Sequence, residues 1–142
     1  LKRPRERASF EPIGDTGIEL PRFDERRFAR HSEYHHVYGV GHQPARPGGM
    51  YNQLVKIDLR TGQSTAWHAP DCYPGEPIFV ASPGPSAEDD GVILSVVLDV
   101  AHGHSFLVVL DAQSFAERAR AVIPHPVMLG FHGEFFAPLG RA

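Results

Sequence analysis

Proline and glycine, thirteen and fourteen of the 142 residues, punctuate this chain so regularly that short apolar runs between turns take the place of any long helical pattern. Proline removes a backbone donor and glycine adds unfolded-state entropy, so both belong in turns and at element ends. Val92 to Val100 and Ser105 to Leu110 are apolar, rich in valine and isoleucine, and separated by Ala101-His102-Gly103-His104. They read as two buried strands joined by a tight connection. Gln53 to Leu59 alternates apolar with polar, Thr61-Gly62 supplies a turn, and Ser64 to His68 returns as a partner. His36 to Val40 and Glu76 to Val80 add strands. Ser114 to Ala121 fits a helical turn as well as a strand, and we read Glu117 to Ile123 as a strand ended by Pro124.

Several short antiparallel strands with Pro- and Gly-bearing loops predict an all-β fold, a sandwich, barrel or propeller among which periodicity does not choose. The span from Val37 to Ile123 would supply roughly two propeller blades of about 40 to 45 residues each, whereas a closed ring needs at least about four.

A net charge of -3 with both signs interspersed argues against a nucleic-acid partner, and the basic start Lys2-Arg3-Pro4-Arg5-Glu6-Arg7 reads as a solvated stretch. The single cysteine, Cys72, has no partner in the chain for a disulfide, so a reducing compartment is expected, with Cys72 as packing. The sequence has neither an apolar run of about 18 residues nor a charged-then-apolar leader, so no transmembrane helix or secretory signal is expected.

Three strings carry a resemblance. They are Tyr73-Pro74-Gly75-Glu76-Pro77-Ile78-Phe79-Val80, then Glu88-Asp89-Asp90-Gly91-Val92-Ile93-Leu94-Ser95, and finally Gly130-Phe131-His132-Gly133 near the C-terminus. From about Ile18 to Phe136 the chain resembles the C-terminal portion of the carotenoid oxygenases, a family that also holds apocarotenoid and lignostilbene cleavers and retinoid isomerases. The resemblance implies that residues 1–142 are a C-terminal fragment of one seven-bladed propeller domain, incomplete in this chain. It implies one non-haem Fe(II) held by four histidines from separate parts of the ring, of which only the last has a match here, at His132. Imidazole nitrogen suits Fe(II), and a neutral shell with vacant positions leaves room for dioxygen. Gly130 and Gly133 are expected to permit close approach and unusual dihedrals beside it.

A liganding histidine usually donates its other ring N–H to a carboxylate, which fixes tautomer and orientation. The resemblance carries that task to Glu76 and, through the shorter string Ile18-Glu19-Leu20-Pro21-Arg22, to Glu19. Each is flanked by apolar residues and proline, where an unpaired charge is costly. Leu20 and Phe131 are candidates to line an apolar substrate tunnel.

Other motifs read as structure. His31, His35 and His36 would suit a transition metal on a helix but fall in a loop leading to a strand. His102-Gly103-His104 imitates the paired histidines of cupins, yet Val108 and Val109 stand where a glutamate should follow, so it reads as a hairpin tip. Glu88-Asp89-Asp90-Gly91 lacks the spaced ligands of a calcium loop and reads as a polar turn. Asp58 and Asp111 end strands through local hydrogen bonds to backbone. No nucleophile elbow or phosphate loop occurs.

The function this implies is part of an Fe(II)-dependent dioxygenase that cleaves a conjugated double bond of a carotenoid or apocarotenoid with O2 to carbonyl products. Stilbene cleavage, isomerisation, and a metal-free β-rich binding module or remnant stay open as alternatives. One histidine does not make a multidentate site, so the 142 residues alone are expected to be inactive. The expected location is cytoplasmic. Peripheral membrane contact is left open, since no basic amphipathic helix supports it, and oligomeric state is unread.

Overall fold

The computed structural model describes residues 9–30, 34–43 and 49–137. The basic start at Lys2 to Arg7 and His31 lie outside the described residues. Among them are nine strands in two antiparallel sheets. The first sheet runs in the order β1 (Glu19–Arg22), β2 (His36–Gly41), β3 (Gln53–Asp58) and β4 (Ser64–Trp67). In the second, β5 (Cys72–Pro74) and β6 (Ile78–Ala81) both pair with β7 (Gly91–Asp99), followed by β8 (His104–Asp111) and β9 (Glu117–Ile123). Every ladder is formed between strands close in sequence, which is what short Gly/Pro turns permit. The hairpin at Thr61-Gly62 forms with Gly62 at φ 71, and Asp58 and Asp111 accept from backbone N–H groups two or three residues on.

The strand reading over Glu76 to Val80 needs a correction: β6 begins at Ile78, and Glu76 and Pro77 precede it. The ambiguous stretch resolves as a turn about Phe115, at φ 61, and then a strand from Glu117. β1 and β5, each four residues or fewer, are not anticipated by the apolar pattern. Strands that short hold their place by pairing. Gly39 of β2 lets β1 approach, since a Cβ there would lie 2.8 Å from the Glu19 carbonyl oxygen.

The core lies between the sheets. Tyr38, Val40, Leu54 and Trp67 from the first meet Ile93, Val97, Phe106, Val108 and Leu110 from the second, with Ala112 and Phe115 closing one end. Each such side chain contributes about 1.5–3 kcal/mol by leaving water. β7 is not buried on both faces as its continuous apolar run suggests: Ile93, Ser95, Val97 and Asp99 are buried, while Val92, Leu94 and Leu98 are half-buried and Val96 is exposed. Its second face is covered only in part, by the segment that follows β9.

Glu88-Asp89-Asp90 is a turn, and it also joins the sheets. Glu88 accepts from the backbone N–H groups of His35 and His36 at 2.8 and 3.0 Å, capping the start of β2. Lys56 of β3, 8% exposed, places its ammonium on Asp89 at 2.7 Å and on the carbonyls of Ala112 and Gln113 at 2.7 and 3.1 Å. Asp90 accepts from Ser86 N–H and Oγ. His35 and His36 thus open β2 through their backbone N–H groups. Burial and the Lys56 charge hold the His36 pKa low against the opposing fields of Asp89 and Glu88.

Burial raises the Asp89 pKa, but the hydrogen bond and charge of Lys56 outweigh it and hold the carboxyl below its ordinary value of 3.8. A depressed carboxylate stabilises the fold above its unfolded pKa and loses that contribution as pH falls through the folded one. Asp89→Asn should therefore flatten the acid limb of the stability profile below about pH 4. Lys56→Met, which strands Asp89 and two carbonyls, should cost about 3 kcal/mol in the full-length protein. Thermal unfolding across pH checks both, and an unchanged midpoint in Lys56→Met contradicts the pairing argument.

Candidate metal centre

The site begins with a break in a strand. Pro74 and Pro77 flank Gly75-Glu76, and proline gives a ladder no N–H. Pro74 pairs with Val97 and Ile78 with Leu94, so three residues, Gly75, Glu76 and Pro77, lie opposite two, Ser95 and Val96. This is a β-bulge, the device by which a strand re-aims one side chain. It is pinned by Gly75 N–H on the Val96 carbonyl at 2.9 Å and by the Ser95 hydroxyl on the Gly75 carbonyl at 2.8 Å.

The bulge presents Glu76, whose side chain is only 6% exposed. Oε1 accepts from His132 Nδ1 at 3.0 Å and Oε2 from the Gly133 N–H at 2.8 Å. A carboxylate accepts, so the ring proton is on Nδ1 and the neutral imidazole keeps its lone pair on Nε2. Nε2 has no partner among the described residues, and the ring is 66% exposed. Phe131 stands edge-on to it, with centroids 5.1 Å apart.

Arg22 completes the constellation. Its guanidinium, 16% exposed, lies 3.6 Å from Glu76 Oε2, 2.9 Å from Glu134 Oε2 and 2.8 Å from Glu25 Oε1, and donates to the Gly133 carbonyl at 3.4 Å. Burial disfavours its charge, but the hydrogen bond to Glu134 and the fields of Glu25 and Glu76 win, so its pKa lies above the ordinary value. The same hydrogen bond, with the Phe135 N–H, lowers the pKa of Glu134. Arg22 and Glu134 carry no local signal that separates them from solvated charges, and only the tertiary pairing reveals them.

Of the residues singled out in the sequence, the structure brings together His132, Glu76 and Phe131. Glu19 lies apart: its side chain is exposed and makes no hydrogen bond or ion pair among the described residues. It too sits at a register shift, between Glu19 paired with Val40 and Arg22 paired with Tyr38, where Leu20 takes φ 50. Leu20 packs against the core cluster. Gly130 and Gly133 do not have the role expected of them: neither has a positive φ, and a Cβ at either would meet nothing within 4 Å. Beside His132 a groove of ≈ 300 Å³ opens between the second face of β7 and the segment Val127 to Phe135, with Ile78, Leu94, Leu107, Met128 and Phe131 in its walls.

An imidazole with one nitrogen held by a buried carboxylate and the other open is a fit donor for Fe(II). It is one donor. No group of three or more His, Cys, Asp or Glu among the described residues is placed to hold a metal ion by itself.

The family model described as RPE65, retinal pigment epithelial membrane protein, matches residues 1–137. Human mitochondrial carotenoid-cleaving dioxygenase is 40% identical over 122 residues, which are 85% of this chain and 20% of that protein. Human beta,beta-carotene 15,15'-dioxygenase is 36% identical over 87% of this chain and 22% of its own length. A carotenoid dioxygenase of Neurospora crassa is 37% identical over 97% of this chain and 22% of its own. Cobalt-substituted Synechocystis apocarotenoid oxygenase superposes with a TM-score of 0.79 at 30% identity, over 86% of this chain and 26% of that one. The chain therefore spans about a fifth of the length of the curated relatives it matches.

Removing the carboxylate should free the ring. In metal-free full-length protein, Glu76→Ala should move the His132 proton from Nδ1 to Nε2, the form favoured in water, and cost about 2 kcal/mol of stability. Nitrogen-15 imidazole spectra check the first, and an unchanged tautomer contradicts the assignment of the Nδ1 proton to Glu76.

Proposed function

The chain belongs to the RPE65 family of carotenoid oxygenases, all-β proteins of propeller architecture of which it forms part, and on that premise we propose that it supplies one histidine ligand of a catalytic Fe(II). The ligand is His132, through Nε2, and the whole protein cleaves a conjugated double bond of a carotenoid or apocarotenoid with O2. The observation that carries this reading is the hydrogen bond from His132 Nδ1 to the buried Glu76, which leaves Nε2 unprotonated and its lone pair open to a metal. That the relatives are carotenoid dioxygenases and an apocarotenoid oxygenase supports the substrate class.

Within that reading each side chain has a definite task. Glu76 fixes the ring plane and tautomer of His132 and, being anionic, makes the imidazole a stronger donor. Iron, when bound, supplies the activation of dioxygen that a closed-shell polyene needs. Phe131 and Met128, exposed beside the ring, present apolar surface to the substrate and keep water from the reacting bond. Glu19, on the bulged edge strand of the first sheet as Glu76 is on that of the second, receives the N–H of a further liganding imidazole from outside this chain. The two sheets are neighbouring blades of a single propeller domain, and their equivalent edges face the same axis.

The deciding experiment uses the full-length protein, with iron content and oxygen-dependent cleavage of an apocarotenal and of a stilbene measured in parallel. His132→Ala should lose its iron and reduce cleavage by more than about 100-fold. The 142-residue chain alone should hold no stoichiometric iron and form no product. Iron and turnover unchanged by His132→Ala would contradict the ligand assignment. Preference for the stilbene moves the substrate to the phenylpropanoid class, and neither iron nor cleavage in the wild type leaves a metal-free module.

A further inference from the structure

Beyond Val127, whose own N–H is held by the Ser105 hydroxyl at 2.9 Å, the described residues form no strand, and the hydrogen bonds that tie them to the rest of the fold end on two side chains. Glu76 takes His132 Nδ1 and Gly133 N–H, and Arg22 takes the Gly133 carbonyl and the Glu134 carboxylate. Gly133 is thus gripped at both its backbone groups, the N–H by Glu76 and the carbonyl by Arg22. Arg22 also stands 3.6 Å from the Glu76 oxygen that holds Gly133, so it supports the carboxylate as well as the segment. It is 16% exposed, on β1 of the neighbouring sheet, and so references the ring position of His132 to a second blade.

We infer that Arg22 is a positioning residue for His132: its planar fork clamps Gly133 and Glu134 and neutralises Glu76, setting where the imidazole points. This rests on His132 being the iron ligand. The fork is needed because one guanidinium donates through Nη1 to the Gly133 carbonyl and through Nη2 to Glu134 while keeping Glu76 and Glu25 in ion-pair range, whereas an ammonium presents a compact charge on a flexible stem. Glu25 is the fourth member. At 2.8 Å from Nη2 it flanks the same nitrogen that Glu134 holds, and so adds a second carboxylate to that arm of the fork.

The test uses full-length protein with Arg22→Lys, which keeps the charge, and Glu134→Gln, which removes one arm at a position where the side chain is 45% exposed and folding is not threatened. Two measurements are read: amide hydrogen exchange at Gly133 in metal-free protein, and iron affinity by chelator competition. Arg22→Lys should speed exchange at Gly133 at least tenfold while leaving β7 and β8 protected, and weaken iron binding by about 10- to 100-fold. kcat should fall with KM for the polyene unchanged. Glu134→Gln should move both readouts in the same direction by a smaller factor. Exchange and iron affinity within twofold of wild type in both variants would overturn the proposal. If wild type itself holds no iron, the ligand reading fails, and the exchange measurement still decides whether Arg22 clamps the segment.

Discussion

A carboxylate shut away from solvent is the constraint around which this structure is arranged. Glu76 is 6% exposed, and an unpaired charge in such a place is too costly for a fold to carry. Its partners come from the two ends of the chain: Arg22 from the first strand, and His132 with Gly133 from the last segment. That segment has no ladder of its own, so the need of one buried charge for donors gives it a fixed course over the second sheet. The groove beside His132 exists because the segment is held there rather than packed flat.

The charge is made possible by backbone geometry. A regular strand through residues 72–81 would alternate side chains between the core and the second face. The extra residue between Pro74 and Ile78 breaks that alternation and aims Glu76 across the strand edge toward His132. β1 has a comparable irregularity beside Glu19, also on the edge strand of its sheet. Both glutamates lie at irregularities on sheet edges, Glu76 directly before Pro77 and Glu19 two residues before Pro21, and in the proposed function the second receives a histidine from elsewhere in the protein.

Much of this was open to reading in the amino-acid sequence, for identifiable reasons. The longer strands declare themselves by valine-rich runs and by turns such as Thr61-Gly62 and His102-Gly103. The resemblance pointed to His132 and Glu76, and the structure puts them within a hydrogen bond of each other. β1 and β5 were hidden because each is short and holds a proline, whereas β4 and β6, equally short, are announced by the Thr61-Gly62 turn and by the apolar run Ile78-Phe79-Val80. The bulge was hidden because Pro-Gly-Glu-Pro announces an interruption without saying how many residues the partner strand opposes to it. Glu88 and Asp89 looked like turn residues because their partners, the β2 backbone and Lys56, are more than 30 residues away. Arg22 was invisible as a functional residue for the same reason: its partners at Glu76 and Glu134 are distant in sequence, and nothing local distinguishes it from Arg26 or Arg27, which serve the Asp24 cap.

The central claim is that His132 offers Nε2 to iron while Glu76 holds Nδ1. The most direct measurement is a crystal structure of the iron-loaded full-length protein, with anomalous scattering recorded at the iron edge. The account predicts a single anomalous peak within bonding distance of His132 Nε2, with Nδ1 still on Glu76. A peak away from His132, or an imidazole turned so that Glu76 has lost its Nδ1 partner, would contradict it.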